Sequence, residues 1–309
     1  MEFDINLSRE QRDAHTPVMA REVMEMLDLP PGGTAVDGTL GLAGHARLMA
    51  QRLGPKGHLI GIDRDSTSLA EAGKRLADLP LRIDLLRGNF SDIHRFLAQA
   101  KVTAVDGILL DLGISSFQLD DSTRGLSFQK EGPLDMRMDL GQDVTAADIV
   151  NTWPQEELAR IIWEFGEERF SRRIAKAIVY WRGSEKIMTT QALARTVLTA
   201  LPKGYTRGKI HPATRTFQAL RIAVNDEMGS LAKGLDACFE ALKTGGCLCV
   251  IAFHSLEDRI VKNKFRCEHD KKTGQMLTKK PLRPTDEESQ ANPRSRSARL
   301  RAIQRLTCS

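Results

Sequence analysis

The feature that most constrains the fold is an alternation running through the first third of the chain. Short apolar runs at residues 34–37, 58–63, 82–87 and 105–112 read as strands, and helical spacing occupies residues 18–27, 44–53, 66–79 and 92–99 between them. Strands separated by helices pair in parallel through crossovers, and a parallel sheet must be covered on both faces. The expected class is therefore α/β, with an open, mostly parallel, Rossmann-like sheet. At 309 residues and 41% hydrophobic content, the chain can bury a large core.

After residue 112 the pattern breaks. Residues 113–143 are rich in Gly, Ser, Asp and Pro, and residues 144–200 are almost wholly helical in character. Ile161, Ile162, Phe165, Ile174, Ala177, Ile178 and Trp181 recur at three- and four-residue spacing, which predicts the core of a helical insertion. A single helix over residues 217–242 is expected to return to the sheet. A turn at residues 243–246, a buried strand at 247–253 and a helix at 255–265 follow, and residues 276–280 and 302–306 supply the last two strands. The expected division is a first part of the sheet domain at residues 1–114, an inserted helical domain for substrate recognition at 115–212, and a second part of the sheet domain at 213–309.

Composition excludes several classes. The five cysteines, at 238, 247, 249, 267 and 308, contain no CxxC pair, so neither a disulfide framework nor a metal site is expected. Cys247 and Cys249 share one face of a predicted strand, as small core residues do. No signal peptide and no membrane span is read, and the expected location is the cytoplasm. Net charge is +5, yet residues 259–309 hold 14 Lys/Arg against 5 Asp/Glu, leaving the rest mildly acidic. A basic end on an acidic body points to a phosphate-bearing partner.

The chemistry concentrates at strand ends. Ala35-Val36-Asp37-Gly38-Thr39-Leu40-Gly41-Leu42-Ala43-Gly44-His45 is a strand ending in an acid and running through glycines into a helix. Its glycines do not match the dinucleotide fingerprint, which disfavours a nicotinamide or flavin cofactor and suits a nucleoside without pyrophosphate, such as S-adenosylmethionine (SAM). Asp63 ends the second strand, where an acid can accept hydrogen bonds from both ribose hydroxyls. Phe90 follows the third strand, where an aromatic ring can lie against adenine. Asp111 ends the fourth, facing cofactor and acceptor, because ligands of open parallel sheets bind at the carboxyl ends.

Along with the Asp37 to His45 loop, the chain carries longer motifs: His15-Thr16-Pro17-Val18; Asp111-Leu112-Gly113-Ile114-Ser115-Ser116 with Gln118-Leu119-Asp120; Gly132-Pro133-Leu134-Asp135-Met136-Arg137-Met138-Asp139; Gly166-Glu167-Glu168-Arg169-Phe170; His211-Pro212-Ala213-Thr214-Arg215-Thr216-Phe217-Gln218-Ala219-Leu220-Arg221; Phe253-His254-Ser255-Leu256-Glu257-Asp258-Arg259; and Asn292-Pro293-Arg294-Ser295-Arg296-Ser297. Together they resemble the bacterial 16S rRNA cytosine-N4 methyltransferase family over nearly the whole chain. The resemblance implies a class I SAM-dependent methyltransferase sheet with an inserted all-helical domain, and methylation of a cytidine in the decoding region of 16S rRNA. By motif it carries over Ala43, Gly44, His45, Asp63, Phe90, Asp111 and Gln118 as SAM contacts. One departure stands in the glycine loop: the family usually reads Gly-Gly-His-Ser or Thr where this chain has Ala43-Gly44-His45-Ala46. If the first position needs positive φ, Ala43 costs about 1–2 kcal/mol.

Asp111 is the first candidate to accept the amino protons of cytosine, with His254 and Ser255 second. A Ser/His/acid hydrolase is disfavoured because adjacent His and Ser on one strand end build no triad, and Ser255 reads equally as a helix cap. His15 and His211 are structural by default, although their motifs move them toward the substrate cleft. Arg215, Arg221, Arg259, Arg294 and Arg296 are the candidate phosphate contacts. The partner is the small ribosomal subunit or its 16S rRNA, with the chain a monomer or homodimer. A small-molecule methyltransferase, an N4-cytosine DNA methyltransferase and a non-catalytic SAM-binding RNA module stay open as alternatives.

Overall fold

The computed structural model describes residues 17–202, 205 and 211–307. His15 and Thr16 lie outside the described residues. The chain divides into two compact units, Met1–Gly113 with Gly229–Ser309, and Ile114–Met228.

The first unit is a seven-stranded sheet. In chain order its elements are α1 (Ala20–Leu27), β1 (Thr34–Asp37), α2 (Gly44–Leu53), β2 (His58–Asp63), α3 (Ser66–Leu76), β3 (Arg82–Arg87), α4 (Ile93–Gln99) and β4 (Val105–Asp111). The sheet order is β3-β2-β1-β4-β5-β7-β6, with β5 at Leu242–Ala252, β6 at Gly274–Met276 and β7 at Arg299–Arg305. Strands β1 to β5 run parallel, and β7 lies antiparallel to both β5 and β6. This is the expected open, mostly parallel, Rossmann-like α/β sheet.

Alternation along each strand divides the core into two layers. Ala35, Leu59, Leu109, Cys249 and Leu300 point to one face, with Val23 and Leu27 of α1 and Met49 and Leu53 of α2. Val36, Ile60, Ile108, Val250 and Ile303 point to the other, with Phe96 and Leu97 of α4. Burial on both faces explains why these strands read as unbroken apolar runs. Cys247 and Cys249 sit in the first layer as core residues, their sulfurs 3.8 Å apart.

The C-terminal half departs from the sequence reading in four places. β5 continues through the expected turn: Val105 pairs with Leu242 and Gly107 with Cys247, so extra residues bulge out, with Gly245 at φ 82°. β7 begins at Arg299, because the buried Arg301 donates to Asp258 Oδ1 at 2.6 Å and an arginine is thereby accommodated inside the sheet. β6 ends where the sequence reading began it, at Met276. The predicted long helix at 217–242 is instead two helices, Thr214–Asn225 and Glu227–Glu240, broken at Asp226 with φ 45°.

The second unit is helical: α5 (Ser116–Asp120), α6 (Ala146–Thr152), α7 (Gln155–Glu164), α8 (Ser171–Arg182), α9 (Thr190–Ala200) and α10 (Thr214–Asn225). The remaining helices of the chain are α11 (Glu227–Glu240), α12 (Ser255–Asp270) and α13 (Asp286–Ala291). Ile149, Leu158, Ile161, Ile162, Ile174, Ile178, Leu193, Val197 and Leu220 form the second unit's own core, which places α10 within it. The expected apolar stripe is present except at its end: Trp181 is 47% exposed. Helical spacing assigns it to the core face, but Arg182 beside it turns to cap α6, donating to the carbonyls of Val150 and Trp153 at 2.8 Å each.

Candidate active site

The site is built where β1, β2 and β4 end. The loop after β1 is tied to both neighbours by hydrogen bonds. The Gly38 N–H donates to the Leu109 carbonyl, the Gly41 N–H to Asp63 Oδ2 at 2.7 Å, and the Asp111 N–H to Thr39 Oγ1 at 2.6 Å. The loop enters α2 through Ala43, at φ 64° and ψ 26°, with no side-chain cap. The conditional expectation is therefore met: a left-handed position is occupied by alanine, at a cost of about 1–2 kcal/mol. Gly44 opens α2, and its N-terminal amides carry no side-chain cap.

Asp63 has the geometry of a ribose acceptor. Oδ2 takes the Gly41 N–H and Oδ1 takes the Asp65 N–H at 2.8 Å, and both oxygens can accept further hydrogen bonds, as ribose hydroxyls would require. Burial raises its pKa, and those backbone donors offset part of the rise. Phe90, just past β3, packs on α11 at Gly234, where an added Cβ would lie 2.3 Å from the ring. One side of the ring is thus fixed by the helix. Both readings of Phe90, core and platform, are compatible with its half-buried state.

Asp111 and His45 stand apart from the rest of the polar network. His45 is buried, and neither ring nitrogen makes a well-formed hydrogen bond; Nε2 lies 3.7 Å from Asp111 Oδ2. Burial lowers its pKa to about 4, and the nearby Val18 backbone offsets only part of that, so the ring is neutral at physiological pH. Asp111 Oδ1 is unpartnered. Burial raises the Asp111 pKa to about 7, the Gly113 N–H draws it back and the Glu257 charge adds to the rise. Its side chain is still 23% exposed, so solvent tempers the shift. Asp37, which sequence reasoning quoted in the loop without assigning it a role, belongs to the same cluster. Burial lifts its pKa to about 7, the Thr39 N–H lowers it, and the charges of Asp111 and Asp63 push it up again. Its signal in the sequence was an acid closing an otherwise apolar strand.

His254 and Ser255 lie past the end of β5, which pairs Asp111 with Ile251. The helix cap is His254, not Ser255: His254 Nδ1 accepts the Glu257 N–H at 3.4 Å, while Glu257 Oε2 accepts the N–H groups of Phe253 and His254. Ser255 is the first residue of α12. With Nδ1 an acceptor, the neutral ring carries its proton on Nε2, which has no hydrogen-bond partner although Glu257 Oε1 is 3.2 Å away. The Phe253 ring packs against Gly113, where a Cβ would come within 2.8 Å of it.

Buried polar atoms without partners are costly, and native proteins keep them mainly where a ligand or water completes them. The orphaned atoms of His45 and Asp111, the spare lone pairs of Asp63 and the uncapped start of α2 fit a polar, positively charged nucleoside. The site therefore suits SAM through Ala43, Gly44, His45, Asp63, Phe90 and Asp111. Gln118 lies on α5 of the second unit, buried, with its N–H donated to Ser115 Oγ at 3.2 Å.

The proposed phosphate contacts differ in availability. Arg259, Arg294 and Arg296 are exposed on the first unit, Arg296 donating to the Ser289 carbonyl. In the second unit, Arg215 donates to the Glu167 carbonyl, and Arg221 is held by Glu227 through two bonds of 2.7 and 2.8 Å. His211 Nδ1 accepts the Ala213 N–H, and its ring lies 4.6 Å from that of Phe128.

Sequence reasoning missed one surface of the second unit. Arg172, Arg173, Lys176 and Tyr180 share the exposed face of α8, which contains no acid, and Tyr180 is 71% exposed. Trp163 on α7 is 59% exposed. The signal available was the run of cations at helical spacing opposite the apolar stripe.

Comparison with known proteins covers nearly the entire chain. The MraW methylase family profile matches residues 12–306. A protein of Syntrophotalea carbinolica named Ribosomal RNA small subunit methyltransferase H is 52% identical over 307 residues, spanning 94% of this chain and 98% of that protein. Proteins of the same name from Deinococcus deserti and Geobacter sulfurreducens are 53% and 50% identical, spanning 94% and 95% of this chain and 93% and 99% of theirs.

Proposed function

Because this chain belongs to the MraW methylase family, we propose that it moves the methyl group of SAM to the exocyclic N4 nitrogen of one cytidine in the decoding region of 16S rRNA. SAM-dependent methylation of small-subunit rRNA follows from identity of about half over nearly full length with relatives named for that activity. The observation that carries the finer reading is Asp111, a strand-end carboxylate with an unpartnered oxygen beside the cofactor loop.

When bound, SAM supplies an activated methyl group whose leaving group needs no protonation. The chain's residues position and neutralise. Asp63 holds the ribose hydroxyls, and the loop from Gly41 to Gly44 fixes the nucleoside against the start of α2. Cytosine N4 is a weak nucleophile because its lone pair is delocalised into the ring, so an acceptor for its N–H raises its reactivity and takes its proton. Asp111 Oδ1 is that acceptor, and a carboxyl with a pKa near neutrality is suited to take and release a proton at working pH. His254, fixed as the cap of α12, is the second candidate for contact with the base. The exposed cations of α8 and the basic end of the first unit hold flanking phosphates, while exposed aromatics offer stacking surfaces for unpaired bases.

The test is transfer of labelled methyl from SAM to small subunits from a strain lacking this gene, followed by nucleoside mass spectrometry. N4-methylcytidine at one rRNA position is expected, and it should fall at least a hundredfold with Asp111→Ala. SAM binding without transfer supports the non-catalytic reading, and transfer to duplex DNA instead of rRNA supports the DNA methyltransferase reading.

A further inference from the structure

Three carboxylates converge at this site without a paired cation among the described residues. Asp37, Asp63 and Asp111 end β1, β2 and β4, which are adjacent in the sheet. Asp37 is in register with Gly61 and Leu109, so Asp63 and Asp111 each lie one strand across and two residues further along. Regular strand geometry puts each about 8 Å from Asp37, Cα to Cα. The other groups that act on the three are Asp65, Glu257 and the neutral His45. Among the described residues, no Lys or Arg forms an ion pair with any of them.

Burial of a carboxyl without a paired cation favours its protonated form. Burial raises the pKa values of Asp37 and Asp111 to about 7 and moves that of Asp63 in the same direction; the charges of Asp111 and Asp63 add to the rise at Asp37, that of Glu257 adds at Asp111 and that of Asp65 at Asp63. Asp37 itself is only 2% exposed, and its Oδ1 accepts the Thr39 N–H. It reaches a ligand by its field, not by contact.

We propose that Asp37, together with Asp63 and Asp111, makes the site discriminate by charge, favouring the sulfonium of SAM over the uncharged thioether of S-adenosylhomocysteine, so that loss of the methyl group loosens the product. The inference rests on the SAM-dependent reading above. Cofactor and product share their nucleoside and amino-acid ends, so the ratio of their affinities isolates the charge at sulfur. The field depends on ionised carboxylates, and Asp37 and Asp111 are ionised above about pH 7 and protonated below it. Preference for SAM therefore grows as pH rises, whereas His45 stays neutral throughout and contributes no change.

The experiment is isothermal titration of the full-length apo protein with SAM, S-adenosylhomocysteine and sinefungin, which carries an ammonium group where SAM has its sulfonium. Wild-type protein should bind both cationic ligands more tightly than the thioether, by a ratio that rises about tenfold between about pH 6 and pH 8. Asp37→Asn should reduce the ratio at about pH 8 about tenfold and flatten its pH dependence. If that variant fails to fold, the wild-type pH series decides alone. A ratio that does not change with pH, or is unchanged in a folded Asp37→Asn protein, overturns the proposal while leaving the methyltransferase reading intact. Failure of the wild type to bind any of the three ligands overturns both.

Discussion

Asp37→Asn should stabilise the apo protein at alkaline pH and do little at acid pH. The substitution keeps the shape of the side chain and removes a buried charge that has no paired cation among the described residues. Burial raises the Asp37 pKa from 3.8 to about 7. A folded-state pKa above the unfolded value means that the group's stabilising contribution is complete below about pH 3.8 and is lost as pH rises through about 7. At about 1.4 kcal/mol per unit, that rise caps the cost of the ionised form at about 4 kcal/mol. The expected gain is therefore about 4 kcal/mol at about pH 8 and about 2 kcal/mol at about pH 5, where the unfolded chain has ionised and the fold has not, and it vanishes below about pH 4. Asp111 shifts in the same direction, so the wild-type curve alone overstates one residue's part; the difference between the two proteins is the relevant quantity. The three tryptophans, Trp153, Trp163 and Trp181, all lie in the helical unit, so their fluorescence does not report on the sheet. Urea unfolding should be followed by hydrogen exchange in peptides covering β1 and β4. Parallel stability-versus-pH curves for the two proteins would refute the reasoning, because they would mean that Asp37 ionises in the fold as it does in the unfolded chain.

Other substitutions test separate parts of the site. Asp63→Ala should weaken SAM binding about a hundredfold by titration calorimetry, because two charge-assisted hydrogen bonds to ribose are lost and the Gly41 N–H is released; an unchanged affinity would remove the ribose assignment. Gly234→Ala places a Cβ 2.3 Å from the Phe90 ring and should cost about 1–3 kcal/mol, read as a fall in melting temperature, with SAM affinity reduced as the ring is displaced. Reversing Arg172, Arg173 and Lys176 to Glu should lower affinity for small-subunit rRNA at least tenfold at about 0.1 M salt and flatten its salt dependence. The SAM dissociation constant should not change, because α8 lies in a unit with a core of its own; equal RNA affinity in variant and wild type would exclude this face.

Much of the sheet unit was legible from local pattern. A strand buried on both faces writes its own apolar run, and the acids that close those runs mark the ligand end of the sheet, so Asp63 and Asp111 could be placed before any coordinates. The left-handed turn at Ala43 was foreseen only as a condition, raised by the family resemblance in which glycine usually stands at that position. What local pattern cannot carry is the identity of distant partners. Arg301 is hydrophilic in isolation and becomes a buried strand residue only because Asp258 of α12 meets it. His254 became the cap of α12 because Glu257 answers it, and the helix expected to run unbroken to residue 242 stops at Asp226, since α10 is claimed by the helical core. The same holds for function. Each of Asp37, Asp63 and Asp111 can be found by eye, but strand order alone made them neighbours, and their shared excess of charge, a sum over residues far apart in sequence, exists only in the folded sheet.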